Sequence, residues 1–268
     1  MDNQNSLPIA VIDSGVGGIS VLRELVDMLP NENYIYFGDS ANAPYGTKSK
    51  EEVLNITRRN LEMLVSKGIK ALVIACNTAT SAAAKVLREE YPRLPIIGIE
   101  PAIKPASMVC ENPRVLVMAT PLTLREEKFL SLVGRFSDSA EFISLPCPSL
   151  VELIEKGDLE SEDIDSYLTH LFSPYVSLHI DALVLGCTHY PHIKHMIAKH
   201  FPPCVHIIDG GAGTARQTMN RLRELGLLNP SPSRGRVEIL NSGDKALISI
   251  SEKLLYKDKN PILEVNNG

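Results

Sequence analysis

The sequence predicts an α/β protein built on two similar parallel sheets. Three observations carry this. Short, β-branched-rich runs recur along the chain and are apolar at every position rather than at alternate ones, as strands buried on both faces are. Stretches with helical periodicity separate them, and that alternation places helices over parallel sheets. Two cysteines stand in matching places: Cys76 closes the run Ala71-Leu72-Val73-Ile74-Ala75, and Cys187 closes Ala182-Leu183-Val184-Leu185-Gly186.

The elements follow in order. Strands are expected at Ile9–Ile12, Tyr34–Phe37, Ala71–Ala75, Pro95–Ile99, Arg114–Ala119, Glu141–Leu145, Asp181–Gly186, Cys204–Ile208 and Arg236–Leu240. Between the first two, Leu22, Leu25, Val26 and Leu29 repeat at helical spacing. Ser49-Lys50-Glu51-Glu52 has the form of a capping box, opening a helix that carries Val53, Ile56, Leu61 and Leu64. Ile164, Leu168 and Leu171 mark another helix, and Asp244–Leu255 a last one. Asn229-Pro230-Ser231-Pro232-Ser233 reads as a loop, and Asn266-Asn267-Gly268 as a frayed end.

A weak internal repeat accompanies these elements. Asp13-Ser14 ends the first strand and Cys76 the third; Thr120 and Cys187 end comparable strands in the second half. Two such units facing each other would bring both sets of strand ends to one cleft, where open α/β proteins hold ligands. The boundaries expected are Glu100-Pro101 and Gly210-Gly211, giving one unit of residues 1–99 plus 211–268 and another of residues 100–210.

Composition bounds the function. The chain has 268 residues, enough for one large domain or two modest ones, and its 44% hydrophobic and 22% charged residues are ordinary for a soluble globular protein. Its net charge is −5 and it has no long basic run, so nucleic acid is not an expected partner. No apolar stretch approaches the roughly 20 residues that span a bilayer. The five cysteines are scattered, with no secretory leader before them, so free thiols in a reducing cytoplasm are expected.

Four segments can carry chemistry. Asp13-Ser14-Gly15-Val16-Gly17-Gly18 tempts a dinucleotide reading, but the fingerprint fails because residue 20 is Ser. Gly211-Ala212-Gly213 fails likewise, with Arg at 216. The first segment is better read as a glycine turn admitting substrate to the backbone, or as a helix start capped by Ser14. Gly38–Gly46 is a second fixed turn, whose amide groups suit a carboxylate. Cys76-Asn77-Thr78 and Cys187-Thr188-His189 are the core. A free thiol is poorly ionised at neutral pH, and a helix N-terminus or a neighbouring His favours the thiolate. A lone strand-end Cys is usually a small buried hydrophobe; two in matched settings point instead to one reaction worked from two sides. Cys187, His189, His192 and His195 do not have the spacing of a closed metal site, so no metal is expected. His192 and His195 read as residues of an exposed helix face, and Cys110, Cys147 and Cys204 as packing residues.

Together, Asp13–Gly18, Gly38–Gly46, Cys76–Thr80, Gly186–Pro191 and Asn241-Ser242-Gly243-Asp244 resemble the glutamate racemases of the cofactor-independent aspartate/glutamate racemase family. Thr188-His189-Tyr190-Pro191 is the most specific segment. Ala119-Thr120 departs from the Gly-Thr of that family, and Asp209-Gly210-Gly211 from its Asp-Ser-Gly. The resemblance implies two α/β domains related by a pseudo-twofold axis, with the active site between them. It implies interconversion of L- and D-glutamate without pyridoxal phosphate, metal or other cofactor, supplying D-glutamate for peptidoglycan, and it is compatible with a homodimer. By analogy Cys76 deprotonates D-glutamate and Cys187 deprotonates L-glutamate, assisted by Asp13 and His189 respectively. Glu155 stands where the family often carries another assisting carboxylate; a solvated helix residue is the alternative. Asp13, Ser14, Tyr45, Gly46, Asn77, Thr78, Thr120, Thr188 and His189 would contact the substrate. Outside this reading stand a racemase of another acidic amino acid, a one-thiol decarboxylase, and a non-catalytic two-lobed binding protein.

Overall fold

The computed structural model describes residues 4–256 and contains two all-parallel sheets. The expected fraying at Asn266–Gly268 lies outside the described residues. The nine strands are β1 (Ile9–Asp13), β2 (Tyr34–Gly38), β3 (Ala71–Ile74), β4 (Ile96–Gly98), β5 (Arg114–Ala119), β6 (Glu141–Pro146), β7 (Ala182–Leu185), β8 (His206–Asp209) and β9 (Val237–Asn241). Each falls within two residues of its expected place at either end.

The two sheets repeat one plan. The first runs β4-β3-β1-β2-β9 and the second β6-β5-β7-β8. In each, the opening strand is central, flanked by the next two strands in the chain, with the fourth beyond the third. Thus β1, β2, β3 and β4 correspond to β5, β6, β7 and β8, and the cysteine-ended strands β3 and β7 occupy equivalent positions. The first sheet gains β9, which pairs with β2 from Tyr34–Val237 to Gly38–Asn241. The late part of the chain therefore returns to the first sheet.

Burial explains the uniformly apolar strands. All residues of β1, β3 and β7 are buried, and two helical layers cover the first sheet. On one face lie helix α1 (Ile19–Met28) and the helices Gly211–Glu224 and Lys245–Tyr256; on the other lie α2 (Lys50–Ser66) and α3 (Asn77–Glu90). Ser49 forms the expected capping box, accepting from Glu52 N while the Glu52 carboxylate accepts from Ser49 N. No helix among the described residues is long and apolar enough to cross a membrane.

Candidate active site

The carboxyl ends of both sheets meet around a cavity of about 270 Å³. The first sheet supplies Ser14 after β1, the Pro44–Thr47 segment after β2, and Cys76, Asn77 and Thr78 after β3. The second supplies Thr120 after β5, Cys147 after β6, and Cys187, Thr188 and His189 after β7. A larger cleft of about 890 Å³ runs along β4 and the Gly211–Glu224 helix, but neither thiol lines it.

Cys76 sits at the N-terminus of α3. Its Sγ accepts from Ala79 N–H at 3.5 Å and lies 3.8 Å from Ser14 Oγ. Both contacts favour the thiolate, yet burial and the nearby Asp13 charge outweigh them and push the thiol up to about 12. At neutral pH the Cys76 thiol is therefore held in its protonated form.

Cys187 has a different escort. His189 Nδ1 lies 3.7 Å from its Sγ, and His189 Nε2 lies 2.9 Å from Glu155 Oε1. Burial opposes a charged imidazole here. The hydrogen bonds to Cys187 and Glu155, with the charges of Cys187 and Asp13, outweigh it and hold His189 well above its ordinary value. The protonated ring then has an N–H for each neighbour. Glu155 is largely buried rather than solvated; its side chain is 19% exposed.

Asp13 lies behind the cavity wall. Its carboxylate accepts from Gly15 N–H at 3.1 Å and from Thr188 Oγ1 at 3.0 Å. Burial raises its pKa; His189 and the N–H and O–H donors around it pull the other way without cancelling that.

The glycine turn also makes room for side chains from elsewhere in the fold. A Cβ on Gly15 would meet Glu155 Oε1 at 1.7 Å, and one on Gly17 would meet His189 Nδ1 at 2.4 Å. These glycines admit two side chains from the other unit against the backbone, while Ser14 beside them lines the cavity. Ser14 is not a helix cap, because α1 starts at Ile19 with Gly18 before it. Gly46 likewise leaves room for Thr120, whose Cβ would lie 3.2 Å from an added methyl.

The remaining expected residues divide by the groups they turn to the cavity. Thr78, Thr120 and Thr123 form a hydroxyl cluster with separations of 3.0 to 3.4 Å. Asn77 Oδ1 is buried and accepts no hydrogen bond from a described residue. Tyr45 lines the cavity, and its hydroxyl donates to Asp39 at 2.7 Å.

Other expectations are corrected. His192 is buried, not exposed, and its Nε2 donates to the Gly17 carbonyl at 3.0 Å. His195 is exposed, as expected, and turns to Glu160 at 3.6 Å, so the three histidines of this segment point to three different places. Cys110 and Cys204 are exposed rather than packed, whereas Cys147 is buried on the cavity wall. Sequence reasoning passed over Thr123 and Cys147. The signal for Thr123 was local: Thr120 caps the short helix Pro121–Arg125 and accepts from Thr123 N–H, which sets the two hydroxyls side by side.

Comparison with known proteins agrees with this geometry. The family model for Asp/Glu/hydantoin racemase matches residues 9–218. The chain is 49% identical over 255 residues to a glutamate racemase of Clostridium perfringens, covering 95% of this chain and 98% of that one. Among solved structures, it resembles the glutamate racemase of Francisella tularensis in complex with D-glutamate, with a TM-score of 0.81, 31% identity and 98% of each chain covered. It also resembles the Escherichia coli glutamate racemase in complex with L-glutamate and an activator, with a TM-score of 0.79, 28% identity, and 94% and 93% of the chains covered. A family match across most of the chain, with relatives at nearly half identity, leads to one conclusion: this protein belongs to the Asp/Glu/hydantoin racemase family and is an enzyme of the racemase class.

Proposed function

We propose that the protein interconverts L- and D-glutamate by a cofactor-independent, two-thiol mechanism. The observation that carries this reading is the placement of Cys76 and Cys187 at equivalent strand ends on one cavity. Inverting a carbon by proton transfer needs a base on one face and an acid on the other. In the L-to-D direction, the Cys187 thiolate takes the α-proton and the Cys76 thiol gives its own to the opposite face. Cys187 ends as the thiol and Cys76 as the thiolate, ready for the reverse reaction. The raised Cys76 thiol and the His189 cation beside Cys187 fit this starting arrangement.

The supporting roles follow from chemistry. Asp13 assists Cys76, and His189, held by Glu155, assists Cys187. Asn77 Oδ1 supplies an acceptor for the substrate ammonium, which would satisfy that buried atom. Ser14, Thr78, Thr120 and the Tyr45–Gly46 backbone supply donors for the two carboxylates, joined by the backbone N–H groups of Thr188 and His189, whose side-chain hydrogens are already engaged. With no cofactor to spread charge, the carbanion depends on such fixed donors in a water-poor cavity. Glutamate is favoured over other acidic amino acids by the names and bound ligands of the relatives.

The same reading makes residues 1–99 with 211–268 one unit and 100–210 the other. It places the enzyme in the cytoplasm, free of metal, as a soluble homodimer or monomer supplying D-glutamate for peptidoglycan. The test is a chiral assay on purified protein without added cofactor, with L-glutamate beside L-aspartate. Glutamate should lose its optical rotation and aspartate should keep it. Persistent rotation of glutamate would defeat the reading.

A further inference from the structure

We propose that Asp39 is a positioning residue for substrate binding, acting with the Asn241-Ser242-Gly243 turn after β9 to brace the Tyr45–Gly46 segment. The inference rests on the glutamate reading above.

Asp39 is 1% exposed and does not line the cavity. Four side chains donate to its two oxygens: Tyr45 Oη at 2.7 Å, Asn60 Nδ2 at 3.1 Å, Asn42 Nδ2 at 3.0 Å and Ser242 Oγ at 2.7 Å. Burial opposes its charge, but these donors prevail and hold it below its ordinary value. A carboxylate so fully engaged is a fixed anchor rather than a proton carrier.

The anchor sets what the loop presents. With its one O–H committed to Asp39, the donor Tyr45 has left for the cavity is its backbone N–H. Tyr45–Thr47 is a single 3₁₀ turn, and the leading N–H groups of such a turn have no acceptor within it. Those groups suit a carboxylate, provided the turn is held in place.

The β9 end supplies the hold from outside. Ser242 Oγ bonds Asp39 and accepts from Ala41 N–H at 3.0 Å. Asn241 Nδ2 donates to Ser40 Oγ at 3.0 Å, and Ser242 N–H to the Gly38 carbonyl at 3.0 Å. The late sequence motif thus reaches the cavity through Asp39 without touching it.

The test is steady-state kinetics with both glutamate enantiomers on wild type, Ser242→Ala, Ser242→Thr and Asp39→Asn. Ser242 is exposed, so its substitution carries little folding risk. Losing one charge-assisted hydrogen bond should raise KM about fivefold in Ser242→Ala with kcat within about twofold. Ser242→Thr, which keeps the hydroxyl, should return KM to the wild-type value, and Asp39→Asn should raise it further. An unchanged KM in Ser242→Ala, or a raised KM that threonine does not restore, would overturn the brace. A loss of kcat alone would also overturn it, because a smaller folded fraction leaves KM unmoved. If Asp39→Asn does not fold, the serine pair decides. An inactive wild type would defeat the glutamate reading and the brace together, whereas an active wild type with unmoved KM defeats only the brace.

Discussion

Thr188 Oγ1 donates to Asp13 Oδ2 at 3.0 Å, joining a residue just beyond β7 in one sheet to the last residue of β1 in the other. Ser20 Oγ, from the start of α1, adds a second tie at 2.9 Å to the Thr188 carbonyl. The Asp13 carboxylate that receives the first bond is also one reason the Cys76 thiol is pushed up. Inter-unit geometry and thiol ionisation are therefore set by the same group.

Asp13→Asn separates these two roles. The amide oxygen can still accept from Thr188, but the negative charge is gone. Burial still raises the Cys76 thiol, so it stays above its ordinary value while falling below the wild-type value of about 12. More thiolate is then present at any given pH. The rising limb of kcat/KM for D-glutamate should move to lower pH, although the overall rate falls by about 10²-fold or more through loss of proton-transfer assistance. Superimposable limbs in the two pH profiles would exclude Asp13 as the group that controls Cys76.

Glu155→Gln tests the other thiol's escort. His189 is raised by its Cys187 and Glu155 partners against burial, so its imidazolium persists above the usual range and is lost only at higher pH. Removing the Glu155 charge takes away one of these supports. The His189 titration, followed by its ring resonances, should move to lower pH in the variant. The L-to-D reaction should lose roughly tenfold, about the worth of one charge-assisted hydrogen bond. A His189 titration that does not move would show that Glu155 is only packing.

How far the sequence could foresee this arrangement depends on the range of the interactions. The inner strands were legible because burial on both faces leaves a local signature, as in β1, β3 and β7. The thiols were legible because each closes such a run. The crowding at Gly15 and Gly17 was not legible, because Glu155 and His189 arrive from the other unit. His192 was misread for the same reason, since its partner is the Gly17 carbonyl. Ser14 looked like a cap because nothing local says that α1 waits until Ile19. Asp39 looked like an ordinary turn residue until Asn60 and Ser242 were folded against it.

The buried pair Lys70–Glu32 should govern stability rather than catalysis. Lys70 is fully buried, donates to Glu32 and to the carbonyls of Asn5 and Leu227, and precedes β3 at the end opposite the thiols. Glu32 Oε1 also accepts from Asn229 N–H at 2.8 Å, so the pair gathers three connecting segments. Lys70→Ala would leave the carboxylate buried without its cation, a loss of about 3–5 kcal/mol. Urea unfolding should show that loss, while kcat per folded molecule stays unchanged. A variant as stable as wild type would show that water or a neighbour replaces the ammonium.

The proposed action of the two thiols on opposite faces makes the sharpest prediction. In deuterated water, the proton delivered to the new enantiomer comes from a thiol that has exchanged with solvent, whereas the one removed from substrate stays on the other sulfur. Early turnover should therefore place deuterium mainly in the product enantiomer and leave unreacted substrate unlabelled. Cys76→Ala and Cys187→Ala should each lower racemisation by at least about 10³-fold, since each removes one half of the transfer. A single exchanging base would behave differently: label would appear in recovered substrate as fast as in product, and one of the two alanine variants would stay active. Cys147 is the internal control, being a third buried thiol on the same cavity, bonded to the Leu145 carbonyl at 3.3 Å and raised to about 12 mainly by burial. It follows β6 rather than a strand equivalent to β3 or β7, so Cys147→Ala should keep kcat within about threefold and leave the labelling pattern unchanged.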